Sequence, residues 1–272
     1  MEVLVAFHLG EVSREFTSGQ LDEDMAENVD ETHFVINMDN GRTLGFQRDQ
    51  EVRYADVVSG GQGMTMIVRL SGGRNAQIET PMLIFQNKDR SYPIRGVPDN
   101  IPGACYRTGP KGWNDSKVFP LWCKEKRAIA RDLEGHTRIL YMDNCSCHNN
   151  TPELGAALRE INSVVRKLPP NSTYLSQPCD SFVIEKIKQE WRNGWDAYKL
   201  QMIQRNMWSE GFGELLNPGK NFFLKLAADS VRKVNAMRDK HGLPYTRKAM
   251  IQCGLAKNVT GQWEVTQLFP QL

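Results

Sequence analysis

Arg138-Ile-Leu-Tyr-Met-Asp143-Asn144 is the stretch on which the reading of this chain turns. Four apolar residues followed at once by Asp and Asn describe a short core strand that stops where side chains reach an open cleft. An Asp at a strand end is ambiguous by itself, because Asp also caps the turn that follows. Its meaning depends on what the neighbouring segments bring to the same place.

Downstream of this strand the pattern alternates between strand and helix. Thr151-Pro152-Glu153 supplies an N-cap and a proline at the first helical position, and Leu154, Leu158 and Ile161 form the buried stripe of the helix they start. A strand, Ser163-Val-Val-Arg-Lys-Leu168, follows. The rigid loop Pro169-Pro-Asn-Ser-Thr-Tyr-Leu-Ser-Gln-Pro178 then leads into a long helix from about Asp180 to Gln204. Ile184, Ile187, Trp191, Trp195, Tyr198 and Met202 step by three or four residues and define the face toward the sheet. Carried back by four, the stripe lands on Asp180, at the positive end of the helix where a carboxylate is favoured. A plain N-cap is the competing reading of Asp180.

Upstream, Val29, Thr32, Phe34, Val35 and Ile36 make Asn28 to Asn37 β-rich, so Asp30 sits on an early strand. Asp39-Asn40-Gly41 supplies a hairpin turn before Thr43-Leu-Gly-Phe46. A second hairpin joins Met64–Leu70 to Ala76–Phe85 through Ser71-Gly-Gly-Arg-Asn75, and Pro81 would put its second strand at a sheet edge or a bulge. Pro93, Pro98, Pro102 and Pro110 describe a long loop over residues 86–113. A helix follows Asn114-Asp115-Ser116, with Phe119, Trp122 and Ile129 turned inward.

This order of elements predicts an α/β fold: a ribonuclease H-like mixed sheet, three antiparallel strands continued by two parallel ones, flanked by helices. The first strand and the strand ending in Asp143 then lie side by side, and the last helix brings Asp180 over them. Three carboxylates at one point raise one another's pKa unless a cation sits among them. Hard oxygen ligands with open positions suit Mg²⁺ or Mn²⁺, commonly as two ions about 4 Å apart, and such a pair serves attack on a phosphodiester by water or a 3′-hydroxyl.

Composition sets limits on this reading. A chain of 272 residues with 40% hydrophobic content buries a full core, and a net charge of +2 means that any nucleic-acid surface is a local patch. Six cysteines are too sparse for a disulfide scaffold, and the opening apolar run is too short for a signal peptide or a membrane span, so a reduced, intracellular, non-membrane chain is expected. We divide it into a helical lead-in (1–25), a catalytic domain (26–210) and a mostly helical C-terminal extension (211–272).

The segments Asn28-Val-Asp30-Glu-Thr32, Tyr141-Met-Asp143-Asn-Cys-Ser-Cys-His148 and Leu168-Pro-Pro-Asn-Ser-Thr-Tyr-Leu-Ser-Gln177-Pro-Cys-Asp180 resemble the three catalytic blocks of the DDE superfamily endonucleases, in particular the pogo and jerky-like transposases of the Tc1/mariner group. The likeness covers roughly residues 25 to 205. It implies that Asp30, Asp143 and Asp180 are the catalytic, metal-binding triad. Thirty-six residues separate the last two, similar to the spacing of that group. Asn144 and His148 match the pattern after the second Asp and are given supporting roles; Glu31 is a weaker candidate, because on a strand it points to the opposite face. DNA is the implied partner and the nucleus the implied location. Relatives usually carry DNA-reading helix-turn-helix domains, and no recognition helix is read in residues 1–25. A catalytically silent, transposase-derived DNA- or protein-binding protein is therefore the alternative.

Lesser signals are weighed the same way. Arg166, Lys167, Lys186 and Lys188 are candidate DNA contacts, although acidic residues interleave with them as on an ordinary solvated helix face. Trp191 and Trp195 are expected in the core. Cys145-Ser-Cys147-His148 lacks a second pair at zinc-finger spacing, and Gly60-Gly-Gln-Gly63 lacks the lysine of a phosphate loop. The C-terminal tail either covers the core or joins two copies of the chain, and a homodimer stays open.

Overall fold

The alternating segment around Asp30 becomes strand β1 (Ala26–Val35) in a computed structural model that describes residues 2–35, 63–129, 135–145, 151–208 and 215–268. Strands β2 (Gly63–Leu70), β3 (Met82–Gln86), β4 (Cys105–Gly109), β5 (Arg138–Met142) and β6 (Ser163–Lys167) complete one sheet in the order β4-β3-β2-β1-β5-β6. β1 to β3 are antiparallel neighbours, and β5 and β6 extend β1 in parallel. The mixed sheet expected from the order of elements is present.

β4 corrects the expectation of an unbroken loop over 86–113. It pairs in parallel with β3, Met82 opposite Cys105 and Phe85 opposite Thr108, so the open edge of β3 finds its hydrogen bonds in a run hidden among prolines and glycines. The same pairing places β3 inside the sheet and not at the edge expected from Pro81. Proline lacks an N–H, and β3 begins just after it; the Pro81 carbonyl accepts from Cys105 N at 3.1 Å. Residues 76–81 make only an isolated bridge, Leu70 to Ile78. The Asp39-Asn40-Gly41 turn, the strand over 43–46 and most of the Gly60–Gly63 run lie outside the described residues.

The helices are α1 (Glu2–Ser18), α2 (Val118–Cys123), α3 (Lys126–Ile129), α4 (Pro152–Glu160), α5 (Thr173–Ser176), α6 (Ile184–Gln204), α7 (Lys220–Ala236) and α8 (Tyr245–Gln252). α4 starts as its sequence requires, with Thr151 Oγ1 accepting from Leu154 N at 3.2 Å. α5 is one turn inside the expected loop 169–178, closed by Ser172 Oγ on the Pro169 carbonyl and on Ser176 Oγ, each at 2.6 Å.

Two apolar layers cover the sheet. On one face, Phe34, Met66, Val68, Leu83, Tyr106 and Tyr141 meet α6 and α7 through Ile187, Trp191, Trp195, Phe223 and Val234, and α1 joins through Val12 and Phe16. On the other, Val29, Ile67, Ile84, Leu140 and Met142 meet Phe119, Trp122, Leu154 and Leu158 from α2 and α4. Trp191 is wedged between Phe34 (ring centres 4.3 Å apart) and Phe223 (6.0 Å), so it is core, as the helical stripe predicts. One ion pair is sealed beneath β1: Arg69 Nη1 lies 2.9 Å from Glu27 Oε2, and Nη2 donates to the Ala128 carbonyl. Among the described residues, no helix is long and apolar enough to cross a membrane.

Candidate active site

The register of the two central strands sets the first half of the site. β1 and β5 run parallel, with Ala26 opposite Ile139 and Asn28 opposite Tyr141. Asp30 and Asp143 each follow the last paired residues, Asn28 and Tyr141, by two positions. Asp143 directly follows the last residue of β5, and its Oδ1 accepts from Cys145 N at 3.0 Å. Asp30 is 7% exposed, and its Oδ1 accepts from Glu31 N at 2.8 Å.

The second half arrives through a turn that the sequence does not announce. Cys179 to Val183 form a π-helical turn before α6. Its extra residue shifts the buried stripe from Asp180 to Cys179. Cys179 is fully buried, its thiol packed against the Asn28 and Val68 carbonyls, while Asp180 stands at the solvent side of the turn. Asp180 still reaches Asp30, and the two carboxyls share a hydrogen bond. The expected sheet-facing position of Asp180 is thus replaced by a rim position.

Asn28 fixes this geometry. Its Oδ1 accepts from Cys179 N at 2.9 Å, and its Nδ2 donates to the Tyr141 carbonyl at 2.9 Å and to Gln177 Oε1 at 3.5 Å. One fully buried amide therefore holds β1, β5 and the start of the Asp180 turn together.

Burial, then the Asp180 charge, then that of Glu31 push the Asp30 pKa up to about 8. Burial also raises Asp180, aided by the charge of Asp143; the hydrogen bond with Asp30 and the nearby Lys188 ammonium oppose it. Two hydrogen-bonded carboxyls, both with raised pKa, are a place where a cation can replace a proton. Beside them the Gln177 amide lies close enough to lower the Asp30 pKa, while its buried Nε2 closes no hydrogen bond of ordinary geometry. The donor chemistry, hard oxygens with an acidic surplus, fits Mg²⁺ or Mn²⁺. Among the described residues, no three His, Cys, Asp or Glu side chains are gathered tightly enough to form a metal cluster as they stand. Asp30 and Asp180 are in contact, and the charge of Asp143 acts on Asp180.

The other residues singled out in the sequence fall as follows. Glu31 points to the opposite face, where Asn114 Nδ2 donates to it. Asn144 donates to the Leu168 carbonyl at 2.9 Å and Lys167 Nζ to the Asp143 carbonyl at 3.0 Å, so both brace the loop after β5. Arg166 pairs with Glu15 and ties α1 to the sheet. Lys186 sits over the Tyr245 ring, and Lys188 lies within electrostatic reach of Asp180. His148 and Cys147 are outside the described residues. Asn28, Gln177 and Cys179 were not singled out, although each belongs to a quoted block; a polar residue in an apolar strand is the signal that Asn28 offered.

The sequence profile of the DDE superfamily endonucleases matches residues 69–236. The chain belongs to that family. The matched segment holds Asp143 and Asp180 and begins after Asp30. The crystal structure of the Mos1 mariner paired-end complex with Mn is similar at a TM-score of 0.52 and 9% identity, covering 93% of this chain and 60% of that one. The Mos1 strand transfer complex is similar at 0.50 and 10%, covering 93% and 59%. At these identities the likeness is one of fold: this DDE chain has the ribonuclease H-like architecture of a mariner transposase and spans about 60% of the length of those chains. No curated protein sequence matches it.

Proposed function

We propose that this DDE chain cuts or joins DNA phosphodiesters, with Asp30, Asp143 and Asp180 as its metal-binding catalytic carboxylates. The observation that carries the reading is the hydrogen-bonded pair of buried Asp30 and rim-standing Asp180, both with raised pKa, with the charge of Asp143 acting on Asp180. Divalent ions bound there supply activation of a water or 3′-hydroxyl and charge for the leaving oxygen. The chain's own residues do the rest. Asn28 orients the Asp180 turn against Asp30, Asn144 and Lys167 brace the loop carrying Asp143, and burial of Asp30 excludes water from one side of the pair. Residues 26–210 carry this activity, DNA is the partner and the nucleus is the setting. The similar Mos1 structures are a paired-end complex with Mn and a strand transfer complex, which supports DNA as the substrate class.

The test is nicking of supercoiled DNA by the purified chain in Mg²⁺ or Mn²⁺, beside Asp143→Asn. Cleavage by the wild type that disappears in a folded variant is the expected result. Equal, background cutting by both, with no heat of metal binding in calorimetry, would turn the reading to a catalytically silent DNA- or protein-binding protein.

A further inference from the structure

Helix α8 lies beyond the residues that match the family, yet it packs on the turn carrying Asp180. Phe182, two residues past Asp180, meets Tyr245 at the start of α8 edge to face, with ring centres 5.7 Å apart. Two lysines cross between the same elements. Lys186 of α6 places its ammonium 4.1 Å from the centre of the Tyr245 ring, and Lys248 of α8 lies 5.9 Å from that of Phe182. A third, Lys188, acts electrostatically on both Asp180 and His33. The helix is anchored independently: buried Arg247 bonds Glu23 at 2.9 Å and the Lys257 carbonyl at 2.8 Å, and Ala249, Met250 and Ile251 sit in the core. The lysine and ring contacts are therefore not needed to hold α8 in place.

Charge explains what they are for. The acidic surplus around Asp30, Glu31, Asp143 and Asp180 disfavours an approaching phosphodiester in the absence of metal, and a net charge of +2 offers no general attraction to offset this. Lys186 and Lys188, which follow Asp180 on the same helix, supply that attraction locally, and the half-exposed rings of Phe182 and Tyr245 are surfaces on which bases stack. Glu185 is held by Arg192 at 2.7 Å, and Lys248 is taken up by Asp239 at 3.3 Å, which leaves Lys186 and Lys188 as the phosphate-facing cations.

Resting on the DNA reading above, we propose that α8 and the Phe182–Lys188 segment form the landing strip for the DNA strand presented to Asp30 and Asp180. Lys186 and Lys188 contact phosphates, and Tyr245 with Phe182 supports a base or sugar. This part of the DNA surface is supplied by the C-terminal extension.

The experiment measures anisotropy of a fluorescein-labelled duplex and of its single strand with the full chain, without divalent ions, over a salt series. Lys186→Gln with Lys188→Gln should weaken binding and lower the slope of log K against log salt by about 2, while Lys126→Gln on the opposite face of the sheet leaves it unchanged. A folded double variant with the wild-type slope overturns the proposal. If that variant does not fold, Lys188→Gln, which supports no ring, should lower the slope by about 1, and an unchanged slope overturns the proposal equally. Nicking assays separate the two readings: wild-type cutting with an unchanged slope sinks the strip alone, and a lowered slope without cutting sinks the nuclease alone.

Discussion

Asn28 Oδ1 accepts the backbone N–H of Cys179 at 2.9 Å, so the strand that carries Asp30 directly holds the turn that carries Asp180. The spacing of the two carboxyls is thereby tied to a buried side-chain amide, and not to the helix alone.

Asn28→Ala removes that bond and the one to the Tyr141 carbonyl, leaving a buried N–H and a buried carbonyl without partners. We expect a loss of about 2–4 kcal/mol in urea unfolding. Asn28→Asp keeps the acceptor for Cys179 but adds an acid next to Asp30, so it should bind Mn²⁺ differently from the alanine variant in calorimetry. Equal stability of Asn28→Ala and wild type would show that the helix holds its place unaided.

Asp30 keeps a proton up to about pH 8 when folded, against an ordinary value of 3.8. Between those values the folded chain binds more protons than the unfolded one, so stability of the metal-free protein falls as pH rises through this window and levels off above it. The thermal midpoint should be higher at pH 5 than at pH 8, with a flatter profile in Asp30→Asn. Parallel profiles for the two proteins would mean that Asp30 is ionised throughout.

Arg69 and Glu27 are 2% and 0% exposed and bonded at 2.9 and 3.0 Å, with Arg69 also capping the Ala128 carbonyl of α3. Arg69→Met strands a buried carboxylate and should cost about 3–5 kcal/mol in chemical unfolding. Adding Glu27→Gln should restore much of it, because the uncompensated charge disappears. A double variant as unstable as the single one would place the cost in packing.

Trp191→Ala opens a cavity between Phe34 and Phe223 and should lose about 3–5 kcal/mol, with Trp191→Phe milder. Differential scanning calorimetry of the three proteins measures the order. A near-neutral alanine variant would count against the core assignment of this helix face.

Much of this architecture was legible because it rests on local pattern. The apolar run ending at Asp143, the Thr151-Pro152 helix start and the stripe through Ile184, Ile187 and Trp191 are short-range signals, and their elements lie where those signals put them. β4 was missed because five residues among prolines and glycines become a strand only when β3 offers them an edge. Pro81 was misjudged for the same reason.

The sequence by itself determined the order of the elements around the three acidic blocks and the likeness to the DDE family, since these follow from periodicity and motif along one chain. Only the tertiary structure decided how the acids stand to one another. The parallel register of β1 and β5 sets Asn28 beside Tyr141, the π-turn puts Asp180 at the rim while Cys179 takes the buried place, and Asn28 binds the three segments. The lysines and rings joining α6 to α8 are likewise separated by about 60 residues of chain. Such relationships depend on hydrogen bonds and charges between residues far apart in sequence, which no local pattern records.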